Sequence, residues 1–149
     1  MNKLSLTQAN KKNVVIVGFY LPGIYPAGDY SVVSDLLAPA FLKSAADADP
    51  EITKEYEITI LNLPTTENLE EVANRINQLK PCIVGFSVYM WNYDQMVETS
   101  RLVKELNPRT KIILGGPQVS YNPFDVLEEN PIADVIVCGS GESRFKQLL

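Results

Sequence analysis

Residues 82–117, CIVGFSVYMWNYDQMVETSRLVKELNPRTKIILGGP, allow few folds. They read as a buried strand ending at Ser87, an amphipathic helix, and a second buried strand that stops at Gly115-Gly116-Pro117. Short apolar runs flanking a helix-length stretch mark a unit whose two strands lie parallel and are covered on both faces. In such a sheet both strands end on the same edge, and ligands bind along that edge. Ser87 and the glycine pair therefore meet at the expected binding site.

The rest of the chain repeats the pattern. Residues 13–19 are β-branched and almost continuously apolar, as in a strand buried on both faces. Residues 20–29, YLPGIYPAGD, form a shaped loop, after which Asp29 or Ser31 caps a helix running to about Ala45. Val32, Val33, Leu36, Leu37, Ala40 and Phe41 form its expected buried face, and Pro39 is expected to kink or split it. Residues 46–55 read as a return loop and 56–63, YEITILNL, as an alternating strand. In the next helix, 67–79, Leu69, Val72, Ile76 and Leu79 recur at helical spacing. The third strand, 83–87, is followed by a helix over 93–106 that Pro108 ends, and by a fourth strand over 111–114. A short helix, 124–129, leads to a fifth strand, 134–138, and Gly139-Ser140-Gly141-Glu142 opens a last helix. This alternation predicts an α/β fold, a doubly wound five-stranded parallel sheet of flavodoxin-like (Rossmann-like) order.

Composition narrows the function. Hydrophobic residues make up 46% and charged residues 21%, as in a globular domain. The net charge is −5 with no basic stripe, which argues against nucleic acid, and the apolar runs are too short to span a membrane. Residues 1–12 are polar, no secretory h-region follows them, and they read as a flexible tail rather than a secretory signal. The two cysteines, Cys82 and Cys138, stand alone and fit buried thiols in a reducing cytoplasm. The chain has no histidine, which removes Ser-His and Cys-His pairs, imidazole metal ligands and the commonest general base at neutral pH. No acid–base or nucleophile pair emerges, so a free-standing enzyme has little support.

Four strand-end loops remain as candidates. Two glycines after the fourth strand either admit a close approach to the backbone or make a tight turn. Tyr89, Met90 and Trp91 after the third form a stacking surface, a domain contact, or part of the core. In GSGE the backbone forms an anion nest, or Glu142 favours the positive end of its helix. That loop lacks the Lys and Ser/Thr of a P-loop, and Gly18, Gly23 and Gly28 are too widely spaced for a dinucleotide fingerprint. Ser87 stands where a phosphoacceptor receiver needs an aspartate, and YLPGIYPAG is a poor flavodoxin phosphate loop.

Three motifs, GFSVYMWN, LGGPQVSY and DVIVCGSGESRF, give the chain a family likeness. From about Asn13 onward it resembles the N-terminal cobalamin (B12)-binding domain of B12-dependent radical SAM proteins. That family closes strand three with a GFS-x-x-x-WN-like run, strand four with LGGP, and follows strand five with D-x-(V/I)-x-x-G-E-G-E. Ser140 replaces the first glutamate of the last motif.

The resemblance implies a cobalamin whose dimethylbenzimidazole tail enters a slot beside the sheet. Ser87 would hydrogen-bond the tail's base and Gly115, Gly116 and Pro117 would pack against the nucleotide. Tyr20, Leu21, Tyr89 and Trp91 would face the corrin ring, with Gly139, Gly141 and Glu142 contributing from the last loop. The wider B12 fold carries D-x-H-x-x-G after strand one, whose histidine ligates cobalt. Phe19-Tyr20-Leu21-Pro22-Gly23 stand there instead, which implies a base-off, histidine-off state suited to methyl transfer. The C-x-x-x-C-x-x-C run that holds a radical SAM [4Fe-4S] cluster is missing. Residues 13–149 are thus expected to be a fragment, with the radical SAM domain and its SAM-binding site following in cis. In the alternative, the domain has lost cobalamin and serves as a structural or substrate-docking domain.

Overall fold

A computed structural model describes residues 11–22 and 37–149. Most of the first loop, the caps expected at Asp29 and Ser31, and the start of the first expected helix lie outside the described residues. Five strands form one parallel sheet: β1 (Lys12–Tyr20), β2 (Tyr56–Pro64), β3 (Pro81–Ser87), β4 (Lys111–Gly115) and β5 (Val135–Val137). Their order is β2-β1-β3-β4-β5, the flavodoxin-like winding. Lys12, expected in the tail, already pairs with Tyr56.

Strand alternation sorts the core into two layers. Val15, Val17 and Phe19 of β1, Val84 and Phe86 of β3 and Ile112 and Leu114 of β4 face one side. There they meet Val72, Ala73 and Ile76 of α3 (Leu69–Gln78) and Met96 and Val103 of α4 (Tyr93–Leu106). The other side carries Val14, Ile16 and Ile58 against α1 (Leu37–Asp47), α2 (Pro50–Glu55) and α7 (Gly141–Leu148). Two short helices, α5 (Pro117–Ser120) and α6 (Pro123–Glu129), bury Val119 and Val126 in the first layer.

Three expectations change. Leu37, Ala40 and Phe41, expected on the buried face of the first helix, are exposed, and α1 buries Pro39 and Ala46 instead. Residues 50–55 are not loop: the Asp49 side chain accepts the Glu51 amide at 3.2 Å and Pro50 supplies a preset φ, so a helical turn starts there. Pro39 does not split the described helix. It lies in the first described turn of α1, and the helix continues unbroken to Asp47. Among the described residues, no helix is long and apolar enough to cross a membrane.

Candidate functional site

The layer under α1 and α7 is incompletely filled. On that face β3 presents Gly85 and Ser87, and β4 presents Ile113 and Gly115, in register as Gly85↔Ile113 and Ser87↔Gly115. Where neighbouring strands contribute Ile or Val, two of these positions have no side chain. A Cβ built on Gly85 meets nothing within 4 Å. The result is a cavity of about 200 Å³ floored by Ile16, Gly85, Ile113 and Val137. A single water needs only roughly 10–15 Å³ on this measure, so the space suits a larger group.

Helices wall it. Ala38 and Leu42 of α1 stand on one side, with Gly141, Glu142 and Phe145 of α7 on the other. Gly141 lets the two helices close up, since a Cβ there would lie 3.0 Å from Leu42 Cδ2. The mouth is made by strand ends: Ser87, Tyr89, Gly115, Gly116, Pro117 and Gly139. Trp91 does not line the cavity but stacks on Tyr89, with ring centroids 4.5 Å apart and planes within 9°. Tyr89 and Trp91 therefore stack on each other, and with Met90 79% and Trp91 42% exposed this loop is not core.

Tyr20 and Leu21 are half-buried and outside the cavity. The cause is the sheet itself. Beyond Val17↔Phe86 the last residues of β1 pair only with β2, while Ser87 pairs with β4. The strand ends diverge, and β1 leads away from the slot.

Gly116 has a reason of its own within the fold. Its φ is +114°, and a Cβ would come within 2.4 Å of the Val88 carbonyl oxygen. The Val88 amide donates to the Gly115 carbonyl at 2.7 Å, so the loops after β3 and β4 are fastened backbone to backbone. Gly115 differs, because its Cβ would meet only Val137, at an ordinary 3.7 Å from Cβ and 3.8 Å from the carbonyl oxygen.

In the last loop the Ser140 hydroxyl donates to Glu142 Oε2 at 2.5 Å, and this bond lowers the Glu142 carboxyl below its ordinary value. Glu142 thus lies in the first turn of α7, where a negative charge suits the helix, and also lines the cavity. Asp134, which opens the same sequence motif, precedes β5 and does not line the cavity. Burial works to raise its carboxyl, but Lys104 at 2.7 Å, Lys111 at 2.8 Å and the Ile112 amide at 2.8 Å prevail and hold it at about 2. Its work is to pin β4 to the start of β5. Cys82 and Cys138 are free and half-buried.

Two site residues were not foreseen. Gly85 forms the cavity floor, and a glycine inside an apolar strand is the signal that marks a close approach. Asn92, taken as loop, is 1% exposed and hydrogen-bonds the ends of β1 and β3.

Residues 40–149 match the B12 binding domain family. Over 113 residues, 76% of this chain, the sequence is 32% identical to a 2-(S-pantetheinyl)-carbapenam-3-carboxylate methyltransferase of Streptantibioticus cattleyicolor. It is 31% identical over 116 residues to the cobalamin-dependent radical SAM methyltransferase TokK of Streptomyces tokunonensis. In both cases the chain spans 16% of the relative's length. A cobalamin-binding protein from Desulfitobacterium hafniense superposes on 92% of this chain and 57% of its own, with a TM-score of 0.61 at 20% identity, and so shares the fold. The match over residues 40–149, together with a flavodoxin-like sheet, establishes that the chain belongs to the B12 binding domain family, with its likeness to the domains of B12-dependent radical SAM methyltransferases.

Proposed function

We propose that this chain is the cobalamin-binding module of a B12-dependent radical SAM enzyme. The observation that carries the reading is the open slot over Gly85, walled by helices and edged by Ser87 and Gly115. A mostly apolar slot with a serine hydroxyl at its mouth fits a flat heteroaromatic base that needs a single hydrogen bond for orientation. In this reading the Ser87 hydroxyl donates that bond to the free ring nitrogen, Gly85 and Gly115 give the base room, and Phe145 and Leu42 exclude water from its faces. Gly116, Pro117, Gly139, Gly141 and Glu142 border the nucleotide, while Tyr89 and Trp91 present a stacked aromatic face toward the corrin. Tyr20 and Leu21, on the neighbouring strand end, would meet only the ring's far rim.

When bound, cobalamin supplies a cobalt centre able to carry a methyl group. A tail drawn into the slot would be held off the metal, and this chain, having no histidine, would offer no imidazole in its place, which would leave the cofactor base-off and histidine-off. The chemistry itself, methyl transfer with a [4Fe-4S] cluster and SAM, belongs to a radical SAM domain in cis. Apolar side chains in the segments that follow β3 and β4, Met90 at 79%, Tyr121 at 96% and Phe124 at 81% exposure, give such a domain a surface to cover. Two free cysteines fit a reducing, cytoplasmic setting.

Titration with hydroxocobalamin, followed by gel filtration and a visible spectrum, tests the reading. One corrin retained per chain, with base-off absorption, is expected, and Gly115→Leu should abolish retention. A wild-type chain that retains no corrin while keeping its fold would overturn the reading in favour of a cobalamin-free docking domain.

A further inference from the structure

In flavodoxin-like sheets the ligand crevice opens between β1 and β3, where the winding reverses. Here that crevice is occupied by the protein itself. Past Val17↔Phe86 the two strands cease to pair, and the Asn92 side chain enters the gap. Its Nδ2 donates to the Phe19 carbonyl and to the Ser87 carbonyl, each at 3.2 Å. Its Oδ1 accepts the Tyr89 amide at 2.8 Å. One carboxamide thus uses both donors and one acceptor on three separate backbone groups, while 1% exposed.

We infer that Asn92 is the positioning residue of the site: it closes the β1/β3 crevice and sets the pose of both Ser87 and the Tyr89–Trp91 stack. The backbone of Ser87, whose side chain lies at the slot mouth, is held from one end of the amide. Tyr89, which lines the mouth and carries Trp91 on its ring, is held from the other. No other side chain supplies this set of bonds at this length. Aspartate keeps the acceptor and loses both donors, glutamine is a methylene too long, and alanine loses everything. The role of Asn92 toward a ligand rests on the cobalamin reading, whereas its hold on the aromatic stack does not.

Trp91 is the only tryptophan of the chain, so its emission reports on this loop alone. The test compares the full chain with Asn92→Asp and Asn92→Ala, first without cofactor and then with hydroxocobalamin. Both variants should keep the far-UV circular dichroism of the wild type. Acrylamide quenching of Trp91 should rise about twofold or more and the near-UV signal of the stacked pair should fall. Corrin affinity should drop about tenfold or more, the scale of losing a buried charge-free hydrogen bond or two. Should alanine unfold the chain, the isosteric aspartate decides. An unchanged Trp91 signal, or an altered signal with wild-type corrin affinity, would overturn the inference. So would loss of the far-UV signal in both variants, which would make the role purely structural. Failure of the wild type to bind corrin overturns the cobalamin reading instead, and the Trp91 signal still decides whether Asn92 holds the stack.

Discussion

Gly85→Leu separates the slot from the fold more sharply than any other substitution. Gly85 lies within β3, between Val84 and Phe86, and its Cβ position opens into the cavity of about 200 Å³. Replacing a strand glycine with a side-chain residue recovers about 0.5–1 kcal/mol of backbone entropy. Burying a leucine side chain in the apolar space adds about 1.5–3 kcal/mol, against about 0.5–1 kcal/mol of lost rotamer freedom. The net should be a stabilisation of about 2 kcal/mol, which for a domain of this size raises Tm by roughly 4–8 °C. The same leucine fills the space assigned to the cofactor's tail, so corrin affinity should fall at least about hundredfold, or about 2.7 kcal/mol. Thermal melting and equilibrium dialysis against hydroxocobalamin on one preparation read both numbers. A more stable protein that no longer binds is the expected result. Undiminished binding would show that the tail lies elsewhere. A destabilised Gly85→Leu protein would show that the space is already filled by the chain's own residues, and either outcome refutes the reasoning.

Three further outcomes follow from the structure. Gly116→Ala forces a side chain onto φ +114° and against the Val88 carbonyl, and should cost about 3 kcal/mol in urea denaturation, whereas Gly115→Ala should change stability by less than about 0.5 kcal/mol. Asp134 has a folded value of about 2, below the ordinary value of about 3.9, so its contribution is present above pH 4 and lost as pH falls towards 2. After allowance for screening of partly exposed ion pairs, Asp134→Asn should lose about 1 kcal/mol at pH 7, and the gap to wild type should close near pH 2.

The sheet was legible because parallel strands buried on both faces read as uninterrupted apolar runs, as in residues 13–19, and α4 stands where its periodicity put it. The helix α2 was missed because Asp49-Pro50 was weighed as loop punctuation, although the same pair is a helix-starting signal. Ser87 and Gly115 stood out because a strand's last residues lie along the edge where such sheets bind ligands, and the structure puts them, with Gly116, at the mouth of the cavity. Gly85 was passed over inside its motif, since what makes it matter is a void that depends on α1 and α7 arriving from distant segments. Asn92 was illegible for the same reason. Its partners include the Phe19 carbonyl, 73 residues away, and nothing near it in the chain reveals that contact. Tyr20 and Leu21 were assigned to the corrin by the family resemblance, and where β1 diverges from β3 the structure puts them outside the cavity.

The most direct test is a crystal structure of the chain grown with hydroxocobalamin. The nucleotide tail should lie between the sheet and α7, with a nitrogen of its base within about 3 Å of Ser87 Oγ and its ring plane over Gly85. A tail still coordinated to cobalt, or lodged on the opposite face beside α3 and α4, would contradict the slot and the function built on it.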